Sequence, residues 1–222
     1  MNGKNVKLLI IAAHPDDIEL SMGGTICKYT NANVEVICYH TTNGVYTDIY
    51  NNPVRNFDEI LDTTHRSLGL LGVKNENIFF NEDSNATELH INKKVISQIQ
   101  KIILERGITE IFTHMEKDTY HQDHMQTHLI AMAASHRYIN NIYCFESIFN
   151  FADGLMIPNT YIDISDSIDR KCESLRLHKT EYEKFKGEAW IESVRSLANY
   201  RGIQIGVKYA ESFDVLKSVR AI

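Results

Sequence analysis

Apolar residues fall along this chain in two alternating rhythms, short unbroken runs and longer stretches at helical spacing. The first run, residues 6–13, has no polar alternation, which suits a parallel strand buried on both faces. Residues 34–40 read as a second strand, with a crossover helix over 23–30 between them, so the chain opens as a βαβ unit. Phe57, Ile60, Leu61, Leu68 and Leu71 recur at helical spacing, and Gly72 stands where a C-terminal glycine ends a helix. A third strand is expected at 77–80. Ile91, Val95, Ile96, Ile99, Ile102 and Ile103 then mark an amphipathic helix stopped by Gly107, and a fourth strand follows at 108–113. Beyond it the pattern predicts a helix over 124–137 and strands near 142–146 and 161–164. One long helix is expected from about 167 to 185, with Ile168, Cys172, Leu175 and Tyr182 on one face.

Such alternation implies an α/β fold, a Rossmann-like, mostly parallel sheet with helices on both faces, here as a single domain over residues 1–222 without internal repeats. Functional crevices in these sheets lie outside the carboxyl ends of the strands, so the residues just after each strand carry the most information. The formal net charge of -6, with no basic block, argues against nucleic acid or a polybasic membrane patch as partner. No stretch approaches the roughly 20 apolar residues of a membrane span. Cys27, Cys38, Cys144 and Cys172 are widely spaced without CxxC pairing, which disfavours a disulfide framework and a thiolate metal site and points to core cysteines of a cytoplasmic protein.

Immediately after the first strand comes His14-Pro15-Asp16-Asp17-Ile18-Glu19. Pro15 restricts His14 to an extended conformation, and a helical turn here would put His14 and Asp17, three apart, on one face with Asp16 directed elsewhere. The fourth strand leads through Thr113-His114 to Tyr120-His121-Gln122-Asp123-His124. Two neighbouring strand ends could thus bring His14, Asp17 and His124 together, two imidazoles and one carboxylate, the ligand count of a catalytic zinc site with open positions. Read alone, an Asp-Asp pair beyond a strand is commonly a helix N-cap, and a lone histidine is commonly surface or core. Two such clusters after parallel strands, with no competing cysteines, favour the metal.

These residues resemble the LmbE-like, or PIG-L, deacetylases. AHPDDIELSMGG is similar to the family's HPDDxExGxGG, and YHQDH to its HxDH motif; Arg55 before the helix ending in LGLLGV, Asp83 after the third strand, YIDIS at 161–165 and YAESF at 209–213 extend the match. Ser21 replaces a common glycine, and His178-Lys179-Thr180-Glu181 stands where many members have H-x-S-Q. The resemblance implies an LmbE-like fold and hydrolysis of the N-acetyl amide of an amino sugar or its conjugate. It implies one zinc ion per chain at His14, Asp17 and His124, with other divalent metals able to substitute and a zinc-bound water as nucleophile. Asp16 would be the general base, and His121 the acid or oxyanion stabiliser, with Asp123 orienting its ring. Arg55, in the first turn of its helix, reads from the residues alone as a solvated surface charge, whereas the resemblance makes it a sugar contact, alongside Asp83. Tyr120, with Tyr46 and Tyr50, could stack on a sugar face. Glu19 is expected behind the site or in the first turn of a helix rather than as a ligand, and similar proteins often form trimers or hexamers.

Two other readings share some of these features. A non-haem Fe(II) enzyme uses the same two-His-one-carboxylate triad but usually on a jelly roll. A non-catalytic Rossmann-type binding module needs a G-x-G-x-x-G turn that HPDDIELSMGG does not supply.

Overall fold

The computed structural model describes residues 6–116, 121–146 and 157–219. Strand β1 (Lys7–Ala12) pairs in parallel with β2 (Glu35–His40) on one side and β4 (Glu110–Thr113) on the other. Outside these lie β3 (Ile78–Phe80), parallel to β2, and β5 (Asn141–Phe145), parallel to β4. Strand β7 (Ala210–Ser218) runs antiparallel to β5, and β6 (Thr160–Asp163) antiparallel to β7, giving the order β3-β2-β1-β4-β5-β7-β6. β7 alone therefore opposes the other strands. The chain builds outward from β1 through β2 to β3, then returns to β4 and builds the other way. β1 and β4 thus flank a topological switch point, where the crevice of an open parallel sheet belongs.

Leu8, Leu9, Ile10 and Ile11 of β1 are all fully buried, which accounts for the unbroken apolar run. Leu8 and Ile10 pack with Ile18, Met22 and Ile26 of α1 (Asp17–Asn31) and Leu68 of α2 (Phe57–Leu70). Leu9 and Ile11 pack oppositely, with Val95, Ile99 and Ile103 of α3 (Lys93–Arg106) and Ile130 and Ala134 of α4 (Gln122–Ser135). Each such side chain contributes about 1.5–3 kcal/mol by burial, which holds helices on both faces. A third cluster joins α5 (Ile168–Arg176) to α7 (Glu188–Ile205) through Cys172, Leu175, Ile191 and Val194. All four cysteines are buried and in no disulfide, and no helix among the described residues is long and apolar enough to cross a membrane.

Three features depart from the sequence reading. The expected helix over 167–185 is two helices, because His178 leaves the helical region (φ -77, ψ 68) and α6 (Lys179–Lys184) starts anew after it. The turn buries the His178 imidazole, a tertiary contact that overrides the continuing apolar spacing. Both α7 and β7 lie outside the sequence expectation. Helix α1 starts at Asp17 rather than near Gly23 and is kinked at Met22 (φ -146, ψ 25). Past the kink the Glu211 carboxylate of β7 accepts the amides of Gly24 (3.0 Å) and Thr25 (2.7 Å) and the Lys171 ammonium (2.5 Å), so a distant acid caps the second half of the helix. Gly24 also makes room for Ile164, just after β6: a Cβ there would sit 2.7 Å from the Ile164 side chain.

Candidate metal centre and cleft

A tight turn, rather than a turn of helix, brings His14 and Asp17 together. The Asp17 amide donates to the His14 carbonyl at 3.3 Å, and the His14 amide donates to Asp17 Oδ2 at 2.7 Å. Between them Asp16 takes φ 112, a conformation L-residues seldom adopt. Pro15 packs against Gly44, where a Cβ would lie 2.7 Å from the proline Cδ, so the glycine clears room for the turn.

The turn brings His14 and the Asp17 carboxylate to a place that His124, in the first turn of α4, also reaches. His14 Nδ1 is 3.3 Å from Asp17 Oδ2 and 3.3 Å from His124 Nε2, and His124 Nε2 is 3.4 Å from Asp17 Oδ1. Nitrogen and oxygen ligands about 2.0–2.2 Å from a tetrahedral zinc stand about 3.3–3.6 Å from one another, so the spacing fits an ion. Close clusters also include His121 (with His14 and His124) and His114 (with Asp17 and His124). Hydrogen bonds sort these candidates. His114 Nε2 accepts the Ala13 amide at 3.0 Å, and His121 Nδ1 accepts the Asp123 amide at 3.2 Å. His14 Nε2, by contrast, lies 2.9 Å from Asp123 Oδ2, and since a carboxylate only accepts, the His14 proton sits on Nε2 and Nδ1 keeps its lone pair for a metal.

Asp123 therefore pairs differently from the sequence expectation. Its carboxylate, fully buried, also accepts the amides of Thr87 (2.6 Å) and Leu89 (3.3 Å), and it orients His14 rather than His121. Only its backbone amide reaches the His121 ring. That amide leaves the remaining His121 proton on Nε2.

The two adjacent aspartates have separated electrostatically. Burial works against the charged form of Asp17, but His124 and His114 hold it well below the ordinary carboxylate range. Asp16 is raised to about 7, first by burial and then by Asp17 and Glu181. It is the N-terminal cap residue of α1, yet its side chain makes no capping hydrogen bond, so the carboxyl is not engaged in the helix. Burial, followed by the charges of His14 and His124, pushes His121 down to about 4, leaving a neutral ring at physiological pH. Behind these groups Glu19 is fully buried, accepting Ser67 Oγ–H and lying 3.0 Å from His178 Nε2, as a supporting residue should.

His14, Asp16, Asp17, His121 and His124 open into one cleft of about 810 Å³. Its far wall carries Tyr46, Arg55, Glu181, Lys184 and Phe185. Arg55 is not in the first turn of α2: Asn56 caps that helix in a capping box with Glu59, which leaves Arg55 just outside it. Nor is it solvated, its side chain being 9% exposed. Asp83 does not line the cleft; it is exposed and ion-paired to Lys94. Tyr50 is exposed on the outer loop, and Tyr120 lies outside the described residues. Glu181 is the cleft residue that sequence reasoning missed, although its replacement of glutamine in the H-x-S-Q stretch was a visible signal.

The sequence profile of the GlcNAc-PI de-N-acetylase family, PIG-L, matches residues 9–135. A diacetylchitobiose deacetylase of Thermococcus kodakarensis is 28% identical over 235 residues, spanning 96% of this chain and 84% of that protein. Among solved structures, an N,N'-diacetylchitobiose deacetylase of Pyrococcus horikoshii in complex with its inhibitor MPG superposes with TM-score 0.78 at 25% identity, covering 95% of this chain and 84% of the other. A 4-carboxy-2-hydroxymuconate hydratase of Pseudomonas putida has TM-score 0.81 at 16% identity, covering 98% of each chain, a likeness of fold alone.

Proposed function

Since the chain belongs to the PIG-L, or LmbE-like, family, we propose that it is a zinc-dependent deacetylase that hydrolyses the N-acetyl amide of an amino sugar or its conjugate, releasing acetate and a free amine. The observation that carries this reading is the convergence of His14 Nδ1, His124 Nε2 and the two oxygens of the Asp17 carboxylate, at 3.3, 3.3 and 3.4 Å, on the same cleft as an uncommitted Asp16 and a neutral His121. Zinc, when bound there, supplies a Lewis acid and a water of lowered pKa. The chain's own groups supply the rest. Asp16 accepts a proton from the attacking water and returns it to the departing amine nitrogen. His121, neutral and protonated at Nε2, donates a hydrogen bond to the carbonyl oxygen as it gains charge, a role its lowered pKa suits better than delivery of a proton. Asp123 holds His14 in the tautomer a metal needs, and Arg55 contacts the sugar.

A mostly parallel α/β sheet separates this centre from the jelly roll usual for Fe(II) oxygenases. With four cysteines in no disulfide, we also place the protein in the cytoplasm. The test combines metal analysis of purified protein with acetate release from N-acetylglucosamine and N,N'-diacetylchitobiose. His14→Ala, Asp17→Ala and His124→Ala should each lose metal and activity together. Full metal occupancy in all three variants would overturn the ligand assignment.

A further inference from the structure

The wall of the cleft facing the metal residues is organised around one carboxylate. Glu181 Oε1 accepts the Tyr46 hydroxyl at 3.2 Å and faces Arg55 Nη2 at 3.8 Å, while Oε2 accepts the Lys184 ammonium at 3.0 Å. The Tyr46 ring is flanked by both cations, with the Arg55 guanidinium 5.7 Å and the Lys184 ammonium 5.4 Å from its centroid. The Glu181 side chain is 7% exposed, so its charge is largely out of water and is tolerated because two cations share it. At 3.8 Å the carboxylate attracts Arg55 without taking up its N–H donors, and the buried Arg55 Nε has no partner among the described residues. Arg55 is thereby buried and charge-paired with donors in hand.

We propose that Glu181 is a positioning and charge-setting residue: it fixes Arg55 and Tyr46 as one recognition wall and offsets the two cations, so that the cleft favours neutral acetylated sugars over anionic ones. The inference rests on the deacetylase reading above, in which Arg55 contacts the sugar. With Glu181 ionised the wall carries a net single positive charge; without that charge it carries two, and Arg55 regains side-chain freedom that binding must remove again. Selectivity should therefore move in opposite directions when the carboxylate and a cation are removed separately. Lys184, whose side chain is 53% exposed, is the cation to remove because its loss leaves little unfilled space.

The experiment measures kcat and KM for acetate release from N-acetylglucosamine and N-acetylglucosamine 6-phosphate in the wild type, Glu181→Gln, Lys184→Met and Arg55→Ala, with metal content checked in each. In Glu181→Gln, KM for the neutral sugar should rise roughly three- to tenfold with kcat, read on its high-pH plateau where Asp16 is ionised in both proteins, within about twofold, while the phosphorylated sugar gains relative to it. Lys184→Met should shift the ratio the other way. Glu181→Gln placed on Arg55→Ala should add little to the neutral-sugar KM, and Glu181→Asp, which keeps the charge, should retain the preference for the neutral sugar. A wild type that releases no acetate from any acetylated sugar would contradict the deacetylase reading itself. An active wild type with an unchanged neutral-to-anionic ratio in both Glu181→Gln and Lys184→Met would overturn the role of Glu181, as would a fall in kcat and metal content with no change in that ratio. If Glu181→Gln does not fold, the direction of the Lys184→Met shift decides.

Discussion

Asp123→Asn is the change that most directly separates the two roles this residue could have. Its Oδ2 serves His14 Nε2 at 2.9 Å and the Thr87 amide at 2.6 Å, and its Oδ1 serves the Leu89 amide at 3.3 Å, all as acceptor. Asparagine has one carbonyl oxygen. With that oxygen in the Oδ2 place, the new NH₂ meets the Leu89 N–H, two donors face each other in a buried site, and the cost is about 1–3 kcal/mol. Reversed, the NH₂ would confront both the Thr87 amide and His14, and His14 could satisfy it only by moving its own proton to Nδ1, which removes the lone pair a metal requires. The first arrangement is cheaper, so the tautomer survives while the charged acceptor behind His14 is lost. Zinc affinity should then fall about 10- to 100-fold, equivalent to about 1.4–2.7 kcal/mol. A chelator-competition titration reads this directly, with urea unfolding of the metal-free protein reporting the lost hydrogen bond. Had the carboxylate oriented His121, the variant would bind zinc as the wild type does and lose only kcat. That pattern would refute the pairing seen here.

Asp16→Asn should keep its zinc and lose about 100-fold or more in kcat, because the amide cannot take the proton. In the wild type, activity should fall as pH drops through the Asp16 pKa, since the base works ionised; burial raises that pKa to about 7 from the ordinary 3.8, a bound cation lowers it again, and the acid limb should lie between those values. An acid limb unchanged in the residual activity of the variant would assign it to another group. Glu19→Gln should destabilise the protein by about 3–5 kcal/mol by stranding the buried His178. His178 is raised from 6.5, so its share of the stability is full below 6.5 and fades as pH climbs through the raised value; Glu19 is lowered from 4.5, so its share is full above 4.5 and fades as pH falls. The stability gap between wild type and variant, followed by denaturant titration, should therefore be widest between 4.5 and 6.5; a gap flat with pH would mean the pair is not ionised. Glu211→Ala should cost several kcal/mol, because it uncaps two amides of α1 and leaves Lys171 buried without its carboxylate; a change below about 0.5 kcal/mol in chemical unfolding would show the cap to be dispensable.

What could be read from the sequence follows from where each cause lies. Strand β1 is legible because burial on both faces writes an unbroken apolar run, and the approach of His14, Asp17 and His124 to one another is legible because the first two follow β1 and the third opens the helix after β4, at the carboxyl ends of two neighbouring parallel strands. The break between α5 and α6 was not, because Ile168, Cys172, Leu175 and Tyr182 keep helical spacing across it; its cause is a contact between His178 and Glu19, 159 residues apart. Asp123 was assigned to its sequence neighbour His121, whereas its carboxylate meets His14, 109 residues away. Arg55 stands outside α2 for a local reason written in the sequence, since Asn56-x-x-Glu59 is a capping box and puts the helix start after the arginine. Asp83, held by Lys94 at the surface, shows that carrying a motif position across does not by itself put a side chain in the cleft.

The centre is assembled by spending stability at one point. Holding Asp16 at φ 112 costs on the order of 1–3 kcal/mol, and seating it beside Asp17 sets two carboxyls against each other. Opposing these costs are the hydrogen bonds that tie His14 to Asp17 on either side of it, the Pro15 contact that Gly44 makes room for, and the Asp123 clamp on the far side of the His14 ring. The same adjacency that destabilises the turn gives it two carboxyls of opposite character: Asp17, surrounded by imidazoles, is held ionised, as a metal ligand would need, and Asp16, buried and facing a like charge, is raised to about 7, so that its ionised form would be a stronger base than an ordinary carboxylate. On the proposed reading, two adjacent identical residues take two tasks from their surroundings, imidazoles about the one and burial beside a like charge for the other.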